Sequence, residues 1–187
     1  MSNKTEAKGT LLKICIAAMF AALICVATMI IRIPSPIGGY LNFGDCFILV
    51  AAWVLGPVYG FAAGGIGSAL ADLFSGYPVY APGTFVIKGL TALAAALIVG
   101  AMIKKSPKLR VPGFILGSVV GELIMVGGYY LYESTLLGYG FIGGLEGLPM
   151  NFLQALFGAV LGVVLILVIA KTGVFSRLNK NFSAYAV

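Results

Sequence analysis

Apolar residues fill this chain in long blocks, and short polar connectors set the blocks apart. The blocks lie at roughly 11–31, 44–55, 57–75, 84–103, 112–132 and 149–171. A helix needs about 20 mostly apolar residues to cross a bilayer. The pattern predicts an all-α, polytopic integral membrane protein of six transmembrane helices. The second block is short, and Gly56-Pro57 breaks the chain before the third, so these two are expected to form a tight helical hairpin. What lies between the blocks is too short for a soluble domain, and residues 1–187 read as one six-helix membrane domain.

The connectors are of two kinds. Those at 33–40, 75–83 and 133–148 mix Pro and Gly with tyrosine, a composition suited to structured loops. The others are basic. Lys4, Lys8 and Lys13 precede or open the first block, Lys104, Lys105, Lys108 and Arg110 share the mid-chain connector, and Lys171, Arg177 and Lys180 follow the last block. Cytoplasmic loops carry such an excess of Lys and Arg. Six crossings put all three clusters on one side, with the N- and C-termini cytoplasmic. Asp45, Asp72, Glu133 and Glu146 fall at the opposite, outer ends.

Composition sharpens this picture. The chain is 60% hydrophobic and 10% charged. Its net charge of +6 is accounted for by the topology and does not call for a nucleic-acid partner. The N-terminal segment resembles a signal peptide, but its apolar run is long enough to span, so it reads as a retained first helix. Cys15, Cys25 and Cys46 have no metal or redox spacing, and there is no histidine. The commonest general base and metal ligand are thus missing, and no metal site or catalytic cofactor is expected.

Small residues recur at helical spacing: Ala17 with Ala21, Ala18 with Ala22, Gly60 with Gly64, Gly113 with Gly117 and Gly121, and Gly158 with Gly162. Such positions let helix backbones approach closely, and packing inside the bundle is their plainest reading. The chain shows no convincing internal repeat of the kind many secondary transporters carry.

Polar groups inside the blocks need a reason, because an intramembrane charge is costly unless paired or facing a wet cavity. Asp45 and Asp72 stand at outer helix ends, Lys88 about one turn into the fourth helix, and Glu122 near the middle of the fifth. Asn151 and Gln154 are three apart, on one face of the sixth. Lys88 can pair with Asp72, Asp45 or Glu122 to lock helices, or these groups can face a ligand. Asp45, near Asn42, can equally favour the start of the second helix. Asn151 and Gln154 can be interhelical glue. Convergence favours a pocket: these groups share the outer half of the bundle, where Tyr40, Tyr80 and Tyr129 would supply aromatic walls.

Four segments together carry a resemblance. They are Gly39-Tyr40-Leu41-Asn42-Phe43-Gly44-Asp45, Leu55-Gly56-Pro57-Val58-Tyr59-Gly60, Gly67-Ser68-Ala69-Leu70-Ala71-Asp72-Leu73 and Thr84-Phe85-Val86-Ile87-Lys88-Gly89. Their order and spacing resemble the substrate-binding S components of energy-coupling factor (ECF) vitamin transporters, in the branch of riboflavin-, hydroxymethylpyrimidine- and pyridoxine-type carriers. The resemblance covers essentially the whole chain. It implies a multi-pass subunit of the bacterial plasma membrane that binds one vitamin or precursor near the outer face, under the loop joining the first two helices. It implies docking on a membrane T component coupled to two cytoplasmic ATPases, and a toppling of the subunit that delivers ligand inward. The family's alanine-xxx-alanine contact with the T component matches Ala17 and Ala21.

The resemblance leaves the ligand open. A small heteroaromatic such as pyridoxine or hydroxymethylpyrimidine is the leading expectation. Riboflavin, pantothenate and queuosine precursors are alternatives. No glycine-rich phosphate loop ending in Lys-Ser or Lys-Thr occurs, so ATP hydrolysis is expected of the partners. Two readings of other classes are a small membrane enzyme and a self-contained carrier or channel using Glu122 as relay. The first lacks a histidine and a Gly-x-Ser-x-Gly elbow. The second would act without partners.

Overall fold

The computed structural model describes residues 2–35 and 38–172, with side chains from residue 9 onward. Arg177 and Lys180 of the third basic cluster lie outside the described residues. The first helix, α1, runs Ser2–Ile30 and leads into a short antiparallel hairpin, β1 (Arg32–Pro34) and β2 (Tyr40–Asn42). Then come α2 (Gly44–Leu55), α3 (Pro57–Ser75) and α4 (Ala81–Lys105). A 3-10 turn at Pro107–Leu109 opens α5 (Arg110–Leu131). A π-helical turn (Tyr132–Leu136), the short α6 (Gly140–Gly144) and a second 3-10 turn (Leu145–Gly147) lead to α7 (Leu148–Lys171).

The core sits around α2, which packs against α1, α3, α4 and α7. Eleven of its residues are buried, Gly44 to Cys46 and Ile48 to Leu55. That explains an apolar run without amphipathic alternation: a helix enclosed on all sides has no polar face to show. Gly56 ends it at φ 81° and Pro57 opens α3 at its first position, where a missing N–H costs nothing. At the foot of the core Trp53 meets Phe114, ring centroids 4.8 Å apart.

The spaced glycines mark helix crossings. A Cβ on Gly67 would lie 2.5 Å from the Ala21 carbonyl oxygen, and one on Gly65 2.6 Å from that of Phe85. Gly117 similarly faces the Ala95 carbonyl at 2.8 Å. The α1–α3, α3–α4 and α4–α5 contacts are therefore backbone-close, as small residues permit in a membrane. Outward faces carry Ile14, Leu23, Leu116, Leu123, Val160 and Val164, a surface suited to lipid.

Among the described residues, four helical segments are long and apolar enough to cross a membrane: Gly9–Ile30, Ala81–Lys105, Pro107–Leu136 and Gly140–Lys171. This is fewer than the six expected. At 12 residues α2 spans about 18 Å, well short of a bilayer core. The 19-residue α3 is diluted by Gly60, Gly64, Gly65, Gly67 and Asp72. Lys104, Lys105, Lys108, Arg110 and Lys171 gather at the bundle end opposite the hairpin.

Candidate functional site

The site forms at the hairpin end, where the chain brings distant polar groups together. β1 pairs with β2 through Arg32 with Asn42, Ile33 with Leu41 and Pro34 with Tyr40. Gly38 and Gly39 take φ of 101° and 67°, conformations that glycine adopts without strain, so the hairpin can turn back over the bundle. Tyr40 then donates from its hydroxyl to Asp72 Oδ1 at 2.7 Å, tying the hairpin to the last turns of α3. Burial, reinforced by the Asp72 carboxylate, pushes the Tyr40 phenol up from its ordinary range, so it stays a donor at neutral pH. Tyr77 packs on Tyr40 with centroids 4.9 Å apart.

Beneath the hairpin lies a narrow cavity of about 30 Å³. Its walls are Tyr40, Asn42, Asp72, Tyr80, Tyr129, Asn151 and Gln154, joined by Thr84, Glu133 and Met150 and by the hairpin residues Ser35, Gly38, Gly39 and Leu41. The Thr84 and Tyr129 hydroxyls share a hydrogen bond of 3.0 Å across α4 and α5. Tyr80 donates to Glu133 Oε1 at 3.4 Å. The cavity has room for about two water molecules, so a ring-sized ligand requires the hairpin to yield.

A second, sealed layer supports this cavity. Asp45, fully buried in the first turn of α2, accepts from Lys88 Nζ at 2.5 Å and from Gln154 Nε2 at 2.6 Å. Gln154 Oε1 in turn accepts from the Asn42 backbone N–H at 2.8 Å and from Asn42 Nδ2 at 3.3 Å. Asn42 Oδ1 accepts from the Gly44 N–H at 2.9 Å, satisfying a donor that α2 leaves open at its start. One network thus links β2, α2, α4 and α7. Lys88 Nζ also lies 5.4 Å from the Tyr129 ring centroid, within cation–π range. Glu122 completes the layer. A Cβ on Gly158 would stand 2.6 Å from Glu122 Oε1 and 2.8 Å from Asp45 Cβ, so glycine there makes room for the carboxylate.

Of the ten residues singled out from the sequence, seven line the cavity: Tyr40, Asn42, Asp72, Tyr80, Tyr129, Asn151 and Gln154. Asp45, Lys88 and Glu122 are not in its lining. Asp45 and Lys88 form the ion pair that the sequence left open between three acids. Thr84 and Glu133 were missed. Thr84 has no charge to flag it. Glu133 reads as a loop residue, but the π-helical turn carries it inward, leaving it 4% exposed.

On the opposite flank, α1 and α3 frame an apolar groove. Ala17 and Ala21, each 8% exposed, form its floor, while Ala18 and Ala22 stand exposed on its wall. Tyr59, Ala62, Ile66 and Leu70 line the α3 side.

With this geometry in view, similarity to known proteins becomes informative. The family described as ECF-type riboflavin transporter, S component, matches residues 8–171, and the chain belongs to this family. A Pyrococcus woesei chain, described as an uncharacterized protein in a gap 3′ region, is 41% identical over 140 residues, covering 74% of this chain and 88% of that one. The thiamine precursor transporter HmpT of Lactococcus lactis subsp. cremoris (strain MG1363) is 29% identical over 180 residues, covering 96% and 98%. A solved S component of a bacterial ECF transporter shares the fold, with a TM-score of 0.62, 24% identity and coverage of 92% and 98%. The chain is thus a transmembrane ECF S component, a transport subunit of vitamin uptake.

Proposed function

We propose that this chain captures a small heteroaromatic vitamin or precursor in the cavity under the β1–β2 hairpin, with pyridoxine or hydroxymethylpyrimidine the best-supported ligands. The observation that carries this is the wall chemistry. Tyr40, Tyr80 and Tyr129 line one cavity with Asp72, Asn151 and Gln154. Stacking walls with a few directed polar groups suit a flat, heteroatom-rich molecule. The whole-length similarity to HmpT supports a thiamine-precursor class. Riboflavin is the second reading, favoured by the description of the matching family.

In this proposal the chain crosses a bacterial plasma membrane six times, with both termini in the cytoplasm and the hairpin outside. The support is the gathering of Lys104, Lys105, Lys108, Arg110 and Lys171 at one end. The short α2 would cross only as part of the α2–α3 unit, shielded from lipid by its neighbours. The α1–α3 groove around Ala17 and Ala21 would dock on the membrane T component, whose two ATPase partners supply the energy. The S component then topples to release its cargo inward.

The test is mass spectrometry of small molecules released from the purified chain, followed by titration with the compound found. A stoichiometric vitamin or precursor bound at nanomolar Kd, about −12 kcal/mol, is expected. A folded chain that carries and binds no vitamin from a full panel would overturn the reading.

A further inference from the structure

The cavity wall has an unbalanced charge. Two carboxylates line it, Asp72 and Glu133, and no lysine or arginine does. The two acids are 5% and 4% exposed. Each has one oxygen engaged: Asp72 Oδ1 accepts from Tyr40 and Glu133 Oε1 from Tyr80. The second oxygen of each, Asp72 Oδ2 and Glu133 Oε2, has no hydrogen-bond partner among the described residues. Lys88 is the only buried cation among them, and it is bonded to Asp45 in the layer below. Arg32 lies on the hairpin, its guanidinium carbon 6.0 Å from the Tyr40 ring centroid.

This arrangement is specific in what it lacks. A buried acceptor left without a donor is costly, and more so when ionised. Tyrosine and threonine hydroxyls in the wall are already committed to each other or to the acids. Gln154 gives its amide to Asp45 and its carbonyl to Asn42. The remaining wall donors, the Ser35 hydroxyl and the Asn151 amide, reach neither free oxygen, so a ligand that fills the cavity is placed to supply the missing donors. The π-helical turn is the device that delivers one of the two acids. Such turns often mark functional positions, and here it turns Glu133 from the connector into the wall.

On the reading that this cavity is the vitamin site, we infer that its ligand is an amino-substituted nitrogen heteroaromatic. Its N–H groups are donated to Asp72 and Glu133. An exocyclic amine beside a ring nitrogen presents two donors when the ring is protonated, the edge a carboxylate matches best. The tyrosine walls take the ring faces. Vitamins bearing a carboxylate or phosphate are rejected, because they add like charge to an acidic, desolvated wall. Asp72 and Glu133 are then specificity-determining binding residues, and Glu133 joins the site from a segment that reads as a loop.

The test uses the full chain in nanodiscs, titrated with hydroxymethylpyrimidine (which carries an exocyclic amine), its deamino analogue, pyridoxine, riboflavin and pantothenate. The aminopyrimidine is expected to bind at least about 100-fold tighter than its deamino analogue, because a site built around a donor rejects the molecule lacking it. Pantothenate should not bind. Asp72→Asn and Glu133→Gln should each weaken the aminopyrimidine roughly 10-fold or more while changing deamino binding little, so the selectivity ratio falls. A purely structural role would weaken both ligands together and leave the ratio unchanged. Equal binding of the two pyrimidines, an unchanged ratio in both variants, or tighter binding of pyridoxine, riboflavin or pantothenate would overturn the inference and leave the vitamin-binding reading standing. Binding of no compound by a folded chain would overturn both.

Discussion

Lys88 is the side chain on which the buried layer turns. Its ammonium is 2% exposed and meets a fully buried Asp45, which Gln154 also contacts. Removing one member of such a pair strands the other charge in a low-dielectric interior. Lys88→Met should therefore destabilise the chain by about 3–5 kcal/mol, read as a lower Tm in detergent. The double variant Lys88→Met with Asp45→Leu should recover part of that loss, since neither member of the ion pair is then left without the other. Gly158 gives a second residue-scale test. Gly158→Ala drives a methyl group against Glu122 Oε1, within 2.6 Å, and should cost about 1–3 kcal/mol. Adding Glu122→Ala should relieve the part of the clash owed to the carboxylate, leaving the contact with Asp45 Cβ at 2.8 Å, and simple additivity of the two losses would show that Asp45 alone resists the methyl group. Candidate residues were readable because charge inside an apolar block is conspicuous. The identity of Lys88's partner was not, since Asp45, Asp72 and Glu122 differ only in depth, which depends on how the helices rotate.

At the scale of elements, the β1–β2 hairpin separates cavity from solvent with little holding it. Its strands are three residues each, and its link to the bundle includes the Tyr40–Asp72 hydrogen bond and the Asn42–Gln154 contacts. Tyr40→Phe removes only the first of these. The hairpin should then open more often, so amide hydrogen exchange across 32–42 should quicken. Ligand should also dissociate roughly 10-fold faster, as expected for loss of a hydrogen bond to a charged group. Unchanged exchange would mean that the strand pairing and the Asn42 network hold the hairpin alone. The Pro and Gly of 33–40 announced a structured turn, but three-residue strands are too short to leave an alternating pattern. The π-helical turn was hidden for a related reason. Its residues, Tyr132 to Leu136, are ordinary helix or loop formers, and the extra residue is set by packing.

At the scale of the whole molecule, the proposed function uses two surfaces, the cavity at the hairpin end and the apolar groove between α1 and α3. Charge sorting made the ends of the bundle legible from sequence, because Lys and Arg are few and clustered. In a Cys15→Ser background, Lys108→Cys should resist an impermeant maleimide in intact cells, while Ile142→Cys, on α6, should react. The reverse pattern would invert the proposed orientation. The groove was legible only as a repeat of alanines, since sequence spacing cannot say which pair of a doubled motif faces inward. The structure divides the roles. Ala17 and Ala21 are the floor, packed where Gly67 brings α3 against the Ala21 backbone. Ala18 and Ala22 are exposed on the rim. Enlarging the floor would push α1 and α3 apart, mixing a folding defect with any docking defect. Enlarging the rim fills the groove from outside and leaves the bundle intact. Ala18→Leu with Ala22→Leu should therefore abolish ligand uptake in cells carrying the T component and ATPases, with ligand Kd and Tm of the purified chain unchanged. Uptake at the normal rate would remove the groove as a docking face. Loss of binding together with uptake would instead tie α1 to the cavity through α2, which packs against both.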